Sequence, residues 1–204
     1  MYRLGMPFFS RRKEPDTSEP VIAYVHLNSR LQPMHRGSVF EDPLDELLSK
    51  HAPGSEVVGG GTEFTPETGP TSCDTEVQLV GDPQETFRLV IDILEHLGAP
   101  VGSWAAIGGG ERVAFGTAHG FALTLDGTSL PDEVYQNNDV NDLISQLNAE
   151  LGKEVELQSW WEGSQSTSLY YYGKDAQHIR RVLESAADRY PLARNSRAEA
   201  ITGA

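Results

Sequence analysis

The chain has 204 residues, 38% of them apolar, and its 16 Lys and Arg stand against 30 Asp and Glu for a net charge of −14. No run approaches the roughly 18 apolar residues of a membrane-spanning helix. The acidic balance argues against a duplex nucleic-acid binder, which needs basic residues to displace counterions.

The length suits one large domain or two small ones of about 80–100 residues. A single cysteine, Cys73, excludes a disulfide within the chain and predicts a reducing, cytoplasmic setting. Residues 41–160 carry 22 acids and four bases, whereas residues 1–40 carry six bases and three acids. Such an acidic middle suits a basic protein partner reached by electrostatic steering, and it also serves solubility alone.

The opening MYRLGMPFFSRRKEP reads poorly as a signal peptide, because its apolar part is short and the arginines follow it. Residues 1–19 are expected to form a flexible arm. Val21–Leu27 then reads as a strand, rich in β-branched and aromatic residues. Leu31–Phe40 reads as irregular, and Asp42-Pro43 as the cap and first residue of a helix with Leu44, Leu47 and Leu48 inward. Glu56–Gly60 is a short strand, Thr65–Pro70 a turn-rich stretch, and Asp74–Val80 a half-buried strand of alternating character. Asp82-Pro83 opens a second helix, whose Phe87, Val90, Ile91 and Leu94 mark one face, and Gly98 stops it. Pro100–Ile107 closes the unit as a strand, and Gly108-Gly109-Gly110 marks a boundary.

The second half repeats the order. Arg112–Leu125 supplies one strand or a hairpin broken near Gly116, and Asp126-Gly127 a turn. Leu130–Tyr135 is a surface loop, and Asp139 caps a helix with Val140, Leu143, Ile144, Leu147 and Leu151 as its stripe. Glu154–Trp161 and Thr167–Tyr172 are strands, Asp175 caps the last helix, and Arg194–Ile201 is the last strand. The order β-α-β-β-α-β, twice, predicts an α+β fold of two tandem ferredoxin-like units with antiparallel sheets, over residues 20–107 and 111–204.

No catalytic motif stands out. Gly59-Gly60-Gly61-Thr62 and Gly108-Gly109-Gly110 lack the spacing and the lysine of phosphate-binding loops and read as bends or turns. The six histidines share no metal-ligand spacing, Cys73 reads as a buried thiol, and the paired carboxylates mostly sit at helix starts. No catalytic residue, metal or cofactor is assigned. The aromatics are more suggestive: Trp160-Trp161 and Tyr170-Tyr171-Tyr172 lie on neighbouring strands, so alternate rings face opposite sides. One set belongs under the helices; the other lies either on an open face or against the first half.

FEDPLDELL (Phe40–Leu48), VGGGT (Val58–Thr62), Cys73-Asp74, GAPVGS (Gly98–Ser103), ALTLDGTSLPDEVY (Ala122–Tyr135) and DVNDLI (Asp139–Ile144) together resemble small acidic bacterial immunity proteins found beside polymorphic or type VI-secreted toxins. The resemblance implies a non-catalytic cytoplasmic inhibitor that occludes a cognate, basic toxin. The binding surface expected for that role draws on Glu41, Asp42, Asp132, Glu133, Tyr135, Trp160, Trp161 and Tyr171, aromatic anchors ringed by carboxylates. Rival readings are a small-molecule sensor with a pocket between the halves and a hydrolase. A free sheet edge would also allow a homodimer.

Overall fold

Val21–Leu27 (β1) is the strand that its composition predicts, and it lies at the centre of the first of two antiparallel sheets. The computed structural model describes residues 20–65 and 68–201. The expected N-terminal arm lies outside those residues. The helical segment after β1 begins at Pro33, not at Pro43: Pro33–Arg36 (α1), a π-helical turn at Gly37–Glu41 and Asp42–His51 (α2) run on without a break. Asp42 is therefore inside the helix and caps nothing. The wide turn explains how Pro43 is tolerated there, since a proline ring crowds the carbonyl four residues back and the π turn relaxes that spacing.

Glu56–Thr65 (β2) and Gly69–Leu79 (β3) form a long hairpin with register shifts at Val57–Gly59 and Glu63–Phe64, so the strand expected to end at Gly60 continues to Thr65. Pro83–His96 (α3) starts as expected, with the Asp82 carboxylate accepting from the N–H groups of Gln84 and Glu85. Ser103–Ile107 (β4) starts three residues later than predicted, because Gly102 turns at φ +94. The sheet order β2-β3-β1-β4 is that of a ferredoxin-like unit.

Val113–Phe115 (β5) pairs with β4 and extends this first sheet. The first unit thus runs past Gly110, and the hairpin expected around Gly116 does not form. Gly116, at φ +100, approaches the Pro100 carbonyl so closely that a Cβ there would sit 2.0 Å from its oxygen. The chain turns there out of one sheet and into the other.

His119–Asp126 (β6) opens the second unit. Leu130–Tyr135 is not all loop: Asp132–Asn137 forms a short helix (α4). Val140–Leu151 (α5), Val155–Glu162 (β7), Ser166–Gly173 (β8), Ala176–Arg189 (α6) and Arg197–Ile201 (β9) complete it, with sheet order β7-β8-β6-β9. Asp139 and Asp175 cap their helices as expected. The fold is therefore α+β, two tandem ferredoxin-like units whose antiparallel sheets follow the same order.

Each unit has its own core between one sheet face and its helices. In the first, Val25, Leu27 and Val77 meet Leu44, Leu48, Val90 and Leu94. In the second, Leu123, Leu169 and Tyr171 meet Leu147, Ile179 and Leu183. Among the described residues no helix is long and apolar enough to cross a membrane.

Candidate functional site

Side chains alternate along a strand, so every strand of the first sheet has a second face away from its helices. Register lines up a row across all five strands on that face: Gly61 opposite Asp74, Asp74 opposite His26, His26 opposite Trp104, Trp104 opposite Ala114. A neighbouring row holds Glu76, Tyr24 and Ala106. Among the described residues nothing in the first sheet's own unit covers these rows, and Tyr24 is 43% exposed.

The face is ordered by its own side chains. His26 Nδ1 lies 2.8 Å from Asp74 Oδ1. The His26 ring stacks on Trp104, with centroids 5.4 Å apart and planes 16° from parallel. The Arg112 guanidinium lies 3.8 Å from the Trp104 ring centre. Imidazole, indole and guanidinium thus form one stack reaching from β1 to the loop before β5. Ser72 donates to Glu63 at 3.0 Å. Together with the Gly108–Gly110 turn, these groups bound an open groove of about 970 Å³. Three of its carboxylates, Glu63, Asp74 and Glu76, face one guanidinium, Arg112.

Cys73 is adjacent to Asp74 and points the other way, into the core. Burial, with Asp74 and Glu41 adding to it against Arg36, pushes its thiol up to about 12. It does not meet His26, whose partner is Asp74, so no thiol–imidazole pair exists here. Beneath the sheet, Glu41 accepts from Arg36 Nε at 2.7 Å and from Thr75 Oγ1 at 2.7 Å. Gly60 leaves room for it, since a Cβ there would lie 2.6 Å from the carboxylate. Among the described residues no three His, Cys, Asp or Glu side chains converge as metal ligands.

The second sheet's equivalent face is covered by the first unit. Tyr170 and Tyr172 point into this seam, where the Tyr172 hydroxyl accepts from the Arg30 N–H at 2.7 Å and that of Tyr170 donates to the Thr68 carbonyl at 3.3 Å. Gly120 makes the space for Tyr172: a Cβ there would sit 2.5 Å from its ring. Gln32 N–H donates to Ser159 Oγ at 3.2 Å, and His35 Nδ1 lies 2.8 Å from the same hydroxyl. Burial lowers the His35 pKa from its ordinary value.

The residues expected to form a protein-binding surface fall on separate elements. Trp160 is exposed at the β7 edge, where its carbonyl accepts from Gln32 Nε2 at 2.5 Å. Trp161 instead fills the seam, edge-on to Phe64 at 4.7 Å and against Gly69. Tyr171 is fully buried under α5 and α6, and burial raises its pKa. Strand alternation sends it to the helix side, so it lies on no contact surface. Glu41 is engaged with Arg36 and Thr75 beneath the first sheet, while Asp42 is exposed on α2. Asp132 and Glu133 are exposed on α4, and Tyr135 is half-buried with its hydroxyl donating to the Asp126 carbonyl.

The open-face set of Tyr24, His26, Asp74, Glu76, Trp104 and Arg112 was not singled out in the sequence as a site. Its signal was alternation: Tyr24 and His26 between Ala23, Val25 and Leu27, and Asp74 and Glu76 between Cys73, Thr75 and Val77.

No protein-family model matches the chain, and no curated protein matches it. Among solved structures, the ligand-free regulatory subunit of aspartate kinase from Thermus thermophilus is similar at 12% identity and a TM-score of 0.27, with 81% of this chain and 93% of that one covered. The regulatory subunit of aspartate kinase from Thermus flavus is similar at 14% identity and a TM-score of 0.28, with 83% and 93% covered.

Proposed function

We propose that the chain is a non-catalytic ligand-binding module of the regulatory or sensing kind, and that it holds a small molecule on the open face of the first sheet. One observation carries this. Two units share a single topology, one helix-free face is covered by the partner unit, and the other is left open by the described residues over an ordered set of polar and aromatic groups. The groove of about 970 Å³ is of a size that ligand sites of about 300–1,000 Å³ occupy. The arrangement speaks for binding rather than chemistry: the Ser72 hydroxyl is turned to Glu63 and His26 to Asp74, so the two do not face each other as nucleophile and base.

A panel of metabolites screened by thermal shift, followed by amide NMR, tests the reading. Ligands that stabilise the protein are expected to move resonances of β1, β3 and β4, and Trp104→Ala is expected to abolish their binding. Stabilising ligands that move only α5, α6 or β7 would overturn it.

A second reading is favoured by the net charge of −14 and by the exposed Trp160 beside the seam. In it the chain is an immunity protein that occludes a basic toxin in the bacterial cytoplasm, using Trp160 with Asp42, Asp132 and Glu133. Salt-sensitive capture of one basic protein, lost in Trp160→Ala, would favour this over the small-molecule reading.

A further inference from the structure

We propose that the ligand of the open face is a small organic cation, an ammonium or guanidinium group on a short apolar body. The inference rests on the small-molecule reading above and adds the ligand's chemistry. Among the described residues the face is an unpartnered sheet surface, and its charge selects the occupant. Glu63, Asp74 and Glu76 line the groove with one guanidinium, Arg112, whose flat side is already laid on Trp104, and with His26, which Asp74 holds at 2.8 Å. An anion would meet three carboxylates and one guanidinium whose preferred face is occupied. A cation would meet the reverse.

The geometry agrees with the charge. Asp74 and Glu76 are two residues apart on β3, on one face, hence about 7 Å apart along the strand. A cation lying between them would be flanked by both carboxylates. Glu76 forms no ion pair among the described residues, in contrast to Glu46 with Lys50 and Glu150 with Arg189. The cross-strand partners on β2 are glycines: Gly59 opposite Glu76, and Gly61 opposite Asp74. A Cβ at Gly61 would meet nothing within 4 Å, so this side of Asp74 is clear. On the other side of Glu76 stands the exposed Tyr24 ring, whose face attracts a desolvated cation and covers an alkyl chain. The net charge of −14 concentrates cations around the whole molecule.

Agmatine, which carries both cationic groups on four carbons, is the probe. Titrated into the full chain with amide NMR readout, it is expected to shift β1, β3 and the Gly108–Gly110 turn saturably. Glu76→Gln and Asp74→Asn should each weaken it about tenfold, the loss of one hydrogen bond to a charged group. Glu46→Gln, which removes one negative charge from α2, should leave the affinity unchanged. Glutarate, its dianionic counterpart, should not bind. If glutarate or a neutral metabolite binds this face and agmatine does not, the cation inference fails while the small-molecule reading stands. If only a Lys-Gly-Lys-Gly-Lys peptide binds the face, both fail and the occupant is a protein. Agmatine shifts that are unsaturable, or equally reduced by Glu46→Gln, would mark diffuse attraction and overturn the site.

Discussion

The two units are built on one plan, and they differ in what the helix-free face of each sheet carries. In the second unit that face is made of small residues and large rings: Gly120 and Ala122 leave space, and Tyr170 and Tyr172 fill it. Their hydroxyls find partners in the Arg30 N–H and the Thr68 carbonyl of the first unit. In the first unit the same face carries Tyr24, His26, Asp74, Glu76 and Trp104, whose polar atoms bond among themselves or meet solvent. Topology gives each sheet two faces, and residue size and charge at alternate positions decide which of them becomes an interior. A burial partner for three carboxylates would have had to neutralise each of them.

The largest expected effect breaks the covered side. Tyr172 is 2% exposed. Tyr172→Ala removes a fully buried ring and leaves the Arg30 N–H without its acceptor, so it should cost about 3–5 kcal/mol of unfolding free energy. Urea denaturation measures this directly. A cost near zero would mean that the two units do not rest on each other through this ring, and the contrast between the faces would collapse.

Much of this comparison was legible in the sequence, and its failures are physical. The Asp82-Pro83 and Asp42-Pro43 pairs look alike, yet only the first begins a helix. Asp82 follows Gly81, at φ +89, after a strand that has ended; Asp42 follows nine residues that are already helical from Pro33. The choice between them depended on whether residues 33–41 had a sheet to pack on, and Phe40, buried in the first core, shows that they do. The ring alternation at Tyr170-Tyr171-Tyr172 was readable from strand geometry. That the first unit covers Tyr170 and Tyr172 was not, because it depends on residues 28–35 and 68–69, far away in sequence. The open-face cluster was missed for the same reason. His26, Asp74 and Trp104 lie 48 and 78 positions apart from the first, and only sheet register sets them side by side.

The seam has a smaller, pH-dependent lever. Burial lowers the pKa of His35 from the ordinary 6.5. The folded state therefore holds this proton less readily than the unfolded chain, and unfolding takes it up. The sign follows: the seam's stability is fully present above about pH 6.5 and falls as the pH drops through the unfolded value. Urea midpoints at pH 7.5 and 5.5 should show the loss. The loss should be smaller in His35→Gln, which keeps a hydrogen-bonding group near Ser159 and removes the titration. Equal losses in the two proteins would place the acid sensitivity elsewhere.

The smallest expected effect is at Tyr24. Tyr24 lies on the central strand of the first sheet as Tyr172 lies beside the central strand of the second, and both project away from their helices. Tyr24→Thr keeps a strand-compatible residue and removes an exposed ring, so it should change stability by no more than about 0.5 kcal/mol. The same variant should lose ligand affinity if the face is a binding surface. A ring that is dispensable for folding and needed for binding would identify the open face as the functional one. A large destabilisation would show instead that Tyr24 is covered in solution, as Tyr172 is, and that the two units treat their faces alike.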